Sequence, residues 1–73
     1  MLKPNYMPLE VTLIRKNRTK TDLRLDLGLS GVTVAKIAKR EYISLKTIAQ
    51  ICEYLNVPIQ EVVVFDLNEK HED

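Results

Sequence analysis

Eight cationic side chains, Arg15, Lys16, Arg18, Lys20, Arg24, Lys36, Lys39 and Arg40, fall within residues 15–40, where only Asp22 and Asp26 oppose them, for a local net charge of +6. From Glu53 to Asp73 the balance reverses to −5, although the whole chain carries only +1. A charge run is most often a solvated surface, but this asymmetry favours an anionic partner such as nucleic acid over a uniformly neutral one.

The other chemistry-bearing residues form no constellation. Cys52 stands alone, so it makes no internal disulfide, and it falls on an apolar stripe where a small core residue is expected. His71 has no companion at metal-ligand spacing, and no base accompanies Ser30 or Ser44, so neither a metal site nor a nucleophile is expected. The sequence calls for no cofactor and reads as a non-enzyme. Its 73 residues suit one small domain, in which a chain of this size buries only about 60% of its unfolded surface. No apolar run approaches the roughly 18 residues of a membrane span, and the N-terminus lacks the pattern of a signal peptide. A cytoplasmic protein without membrane contact is expected.

The elements that must position the basic segment follow from periodicity and caps. Residues 1–7 read as an N-terminal arm or a short edge strand. A first helix starts near Pro8, places Leu9, Leu13 and Ile14 inward with Glu10 near its positive end, and fades at Asn17. Leu23, Leu25, Leu27 and Leu29 then alternate with polar residues as in a strand. Thr19 three residues before Asp22, the helix propensity of leucine and a stop at Gly28 argue for a helix instead, and the helix is the reading adopted. After a turn of Gly28, Leu29 and Ser30, Ser30 caps a third helix reaching Arg40. Val34, Ile37 and Ala38 share its packing face, whereas Val32, Lys36 and Lys39 point away, flanked by Thr33 and Arg40. Ser44 caps a fourth helix with the stripe Leu45, Ile48, Ile51, Cys52 and Leu55, closed by Asn56. Pro58 opens a fifth, shorter helix, although Val62–Phe65 fits a strand equally well. Tyr6, Tyr54 and Phe65 are expected in the core or an interface, Tyr42 in packing, and residues 67–73 as a polar, disordered tail.

In this pattern KTDLR at Lys20–Arg24, LGLS at Leu27–Ser30, TVAKIAKRE at Thr33–Glu41 and LKTIAQICEYLNVPIQEVV at Leu45–Val63 are similar to very short members of the lambda-repressor and Cro type, or Xre family, of helix-turn-helix regulators. The resemblance spans Pro8 to Phe65. It implies an all-α, lambda repressor-like bundle of about five helices with the turn motif inside it, a short terminal strand being compatible, and a DNA-binding domain over residues 8–66. It further implies that the helix at 30–40 enters the major groove of double-stranded DNA. Gly31, Val32, Thr33 and Lys36 then occupy base-facing positions, while Lys20, Thr21, Lys39, Arg40, Ser44 and Lys46 meet phosphates. Lys36 suits guanine O6 or N7, Thr33 a base or a phosphate, and Val32 a thymine methyl. Many relatives carry glutamine, asparagine or serine where Gly31 and Val32 stand, which predicts weak base readout or reliance on DNA shape. Arg24 replaces an alanine common in repressors, a change that the short members tolerate.

Because one recognition helix gives little affinity, a homodimer is expected, with Ile59, Val62, Val63 and Phe65 as its interface. The alternative function is a protein-interaction module of the same fold, an antirepressor or antitoxin-like partner, motivated by the apolar Gly31 and Val32 and the near-zero net charge.

Overall fold

Each α-helix among the described residues stops by the same device. In the computed structural model, which describes residues 1–66, the helices are α1 (Met7–Arg15), α2 (Lys20–Leu27), α3 (Gly31–Ala38) and α4 (Leu45–Leu55). Past each one, an N–H reaches back five residues: Arg18 donates to Leu13, Leu29 to Arg24, Glu41 to Lys36 and Val57 to Cys52, at 2.8–3.0 Å. The residue before each donor, Asn17, Gly28, Arg40 or Asn56, takes a left-handed φ between 58° and 65°. This closure satisfies carbonyls that the helix leaves unpaired and turns the chain sharply, so short helices pack without long loops.

The helix starts are equally local. Thr19 Oγ1 accepts from the Asp22 N–H at 2.9 Å while the Asp22 carboxylate accepts from the Thr19 N–H at 3.0 Å, a complete capping box. Ser30 and Ser44 cap α3 and α4 by accepting from Thr33 and Thr47 N–H groups, each at 3.1 Å. For α1 the expected start at Pro8 moves one residue back to Met7, whose N–H donates to Asn5 Oδ1 at 2.9 Å.

Tyr6, Leu9, Leu13, Leu23, Ile48, Ile51, Leu55 and Val62 form the buried core. Ile14 and Leu45, both expected to face it, do not. Ile14 is 79% exposed because Thr12 takes the inward place, its hydroxyl donating to the Glu61 carbonyl at 2.7 Å, and Leu45 at the first turn of α4 is 73% exposed. The leucine alternation in α2 resolves by depth: Leu23 is buried, Leu27 and Leu29 half-buried, and Leu25 exposed.

The bundle of about five helices is corrected to four α-helices among the described residues. Beyond Pro58 the described residues make only a 3-10 turn, Ile59–Glu61, and then β2 (Val64–Phe65), which pairs antiparallel with β1 (Pro4–Asn5), Pro4 opposite Phe65 and Asn5 opposite Val64. The β-branched run favours extended backbone, and β1 supplies the ladder that a lone strand lacks. Of the two readings of residues 1–7, the strand is therefore the one formed. The polar tail expected over residues 67–73 lies outside the described residues.

Candidate nucleic-acid interface

The left-handed Gly28 reverses the chain between α2 and α3, and Ser30 restarts it as a helix at once. Leu29 and Ile37 pack on the core, and with Val34 they line a cleft shared with Leu9 and Leu23, whereas Gly31, Val32, Ala35 and Lys36 are exposed. Ala38, expected with the packing residues, borders the same cleft but is itself exposed. The segment 30–40, SGVTVAKIAKR, contains no carboxylate. Its α-helix ends at Ala38, so Arg40 lies in the closing turn instead of on the helix expected to include it.

Among the base-facing candidates, Gly31 and Lys36 are exposed, Val32 is 66% exposed, and Thr33 is half-buried, with its hydroxyl oxygen accepting from Ser30 at 3.1 Å. A methyl group added at Gly31 would meet nothing within 4 Å, so the glycine leaves the helix start open to close approach. Of the phosphate candidates, Thr21, Lys39, Ser44 and Lys46 are exposed. Lys20 pairs with Glu10 at 2.9 Å and Arg40 with Asp66 at 3.4 Å. One cleft brings Lys20 and Arg40 together with Ile37 and Ala38. Ser44 caps α4 and Lys46 lies in its first turn, and no hydrogen bond or ion pair among the described residues ties them to α3.

Sequence reasoning missed the partners of these cations. Glu10 carried the signal of a first-turn acid only, and Asp66 gave none, because its role depends on the strand pairing that brings it beside Asn5 and Arg40. Tyr42 acts within the fold, donating to the Leu2 carbonyl, and Tyr6 donates to the Glu41 carbonyl at 2.7 Å, fixing the loop after α3. Tyr54 donates to Asp26 under the Arg18 guanidinium, and its phenol is held above the usual range by that carboxylate bond, with burial adding. Burial alone raises the Tyr6 phenol and the Cys52 thiol.

For the expected dimer surface, Ile59 and Phe65 are exposed and Val63 is half-buried, together lining a groove with Tyr42, Leu45 and Val64. Val62 is corrected: it is fully buried inside its own protomer and has no surface to offer a second copy. Among the described residues there is no group of three potential metal ligands and no helix long and apolar enough to cross a membrane.

An open basic helix set by a glycine turn on a small helical core defines a helix-turn-helix protein. The model of the Cro/C1-type HTH DNA-binding domain matches residues 8–67, and the chain belongs to that family of DNA-binding transcription regulators. It is also similar to the crystal structure of the transcriptional regulator VanUg (form II), with a TM-score of 0.86 and 34% identity over 89% of this chain and 87% of that one. No curated protein is significantly similar to the chain.

Proposed function

We propose that this protein is a sequence-specific regulator that binds double-stranded DNA through residues 8–66, with α3 in the major groove, acting in the cytoplasm by binding and without catalysis. The observation that carries the reading is the exposed, carboxylate-free face of α3, on which Lys36 and Lys39 have no ion-pair partner among the described residues. Gly31, Val32, Thr33 and Lys36 face the bases. Lys20, Thr21, Lys39, Arg40, Ser44 and Lys46 serve phosphates, and the N-termini of α2 and α4 suit that role because their orphan N–H groups and dipoles favour anions.

Two copies would place two such helices about 34 Å apart, on successive major grooves of one DNA face. A second copy is the occupant proposed for the groove of Ile59, Val63 and Phe65. Among the described residues β2 keeps one edge without a ladder partner, ready for antiparallel pairing across a two-fold axis. Sedimentation showing a monomer both off and on DNA overturns this part.

Duplex affinity across a salt series tests the DNA reading, since each phosphate neutralised adds about −0.9 to the slope of log K against log salt. Lys39→Ala is expected to weaken all sequences alike and flatten the slope. Lys36→Ala is expected to relax preference at one base pair by roughly 1–3 kcal/mol. The rival reading, a protein partner seated on the same face, draws on the exposed Val32 and gains if affinity for duplex is weak and flat in salt.

A further inference from the structure

The cations expected to meet DNA do not all stand free. Lys20 Nζ is 2.9 Å from Glu10 Oε2, and Arg40 Nη1 is 3.4 Å from Asp66 Oδ2. Lys20, Glu10 and Arg40 line one shallow cleft where the starts of α1 and α2 meet the end of α3. Lys36, Lys39 and Lys46 have no ion-pair partner among the described residues. One edge of the DNA-facing surface is thus internally neutralised, and its centre is not.

In the Arg40 pair the carboxylate is the anchored member, whereas Glu10 and Lys20 are exposed to a similar degree, 48% and 58%. Asp66 is half-buried, accepts from Asn5 Nδ2 at 3.1 Å, and donates its own N–H to the Lys3 carbonyl at 3.0 Å. Glu10 lies in the first turn of α1, where the positive helix end favours it. The Lys20 and Arg40 side chains are more than half exposed, on long stems whose pairing in water is weak, so they are free to turn toward another anion. Backbone conformation does not explain the arginine. Arg40 occupies the left-handed position that Gly28, Asn17 and Asn56 fill at the other helix ends, where glycine and asparagine fit at lower cost. What the arginine adds there is its side chain, which reaches Asp66 Oδ2 at 3.4 Å.

We propose that Glu10 and Asp66 are built-in counter-ions that occupy Lys20 and Arg40 in the free protein and are exchanged for DNA phosphates on binding. They hold down sequence-independent affinity at this edge while Lys36 and Lys39 remain available. The inference rests on the DNA-binding reading above. Giving up an exposed ion pair to reach a phosphate lowers affinity by up to about fivefold.

The test is equilibrium binding to a random-sequence duplex over a salt series, with urea midpoints to verify folding, for wild type, Glu10→Gln, Asp66→Asn and the double variant. Each single neutralisation is expected to tighten binding by up to about fivefold and the pair by up to about 25-fold, with the slope steepening by up to about 0.9 per carboxylate removed. The gain from Glu10→Gln should vanish in a Lys20→Ala background, and that from Asp66→Asn in an Arg40→Gly background. Binding no tighter than wild type, or a gain that survives loss of the paired cation, overturns the proposal. The two pairs are independent, so if one variant does not fold the other decides. Absence of salt-dependent binding already in wild type would remove the DNA reading, and the proposal with it.

Discussion

Four residues at helix ends show how single positions set the path of the chain. Gly28 takes its left-handed φ without penalty, and an added methyl there would touch nothing within 4 Å, so Gly28→Ala isolates the conformational cost. That substitution is expected to lower stability by about 1 kcal/mol, read from the urea midpoint. Arg40→Gly is expected to stay within about 0.5 kcal/mol of wild type. Relief of the left-handed strain offsets the added freedom of the unfolded chain and the loss of a weak exposed ion pair. A large destabilisation by Arg40→Gly would show that the arginine is a strut and not a contact held for DNA.

Tyr54 gives a prediction in pH. Its phenol, held above the ordinary value by Asp26, keeps its proton to higher pH in the folded state than in the unfolded one. The folded state therefore binds more protons through the titration, and stability is complete below the ordinary tyrosine pKa of about 10 and declines above it. Tyr6 adds a decline of the same sign through burial. Urea midpoints between pH 8 and pH 11 should fall less steeply for Tyr54→Phe than for wild type. An unchanged slope would contradict the assignment.

At the scale of elements, the buried Thr12 joins the first helix to the 3-10 turn through the Glu61 carbonyl. Thr12→Val keeps the shape and leaves that carbonyl unpaired, with an expected loss of about 1–3 kcal/mol in thermal or urea unfolding. Much of the element pattern was readable because its signals are local. Thr19 with Asp22, Ser30, Ser44, Gly28 and Asn56 each act on backbone groups within a few residues, and each acts where expected. The failures arose where a distant partner decides. Val62–Phe65 becomes a strand because β1, some sixty residues earlier, is there to pair with it. Thr12 turns inward and Ile14 outward because a carbonyl late in the chain accepts the threonine hydroxyl. The candidate interface was readable in part for the same reason: the basic, carboxylate-free helix is written in consecutive residues, whereas the Glu10 and Asp66 partners exist only once α1, α2 and β2 have assembled.

Across the whole molecule, the +6 segment of residues 15–40 is carried by α2, α3 and their flanks. Such a field steers an anionic polymer to the face where α3 is exposed. Wild-type and Lys36→Ala protein, each used to select from random duplex DNA and followed by sequencing, test the central claim most directly. The account predicts enrichment of a two-fold motif with half-sites about one helical turn apart, in which Lys36→Ala alters preference at one base pair per half-site. No enrichment from either protein, with duplex binding that does not respond to salt, would contradict it.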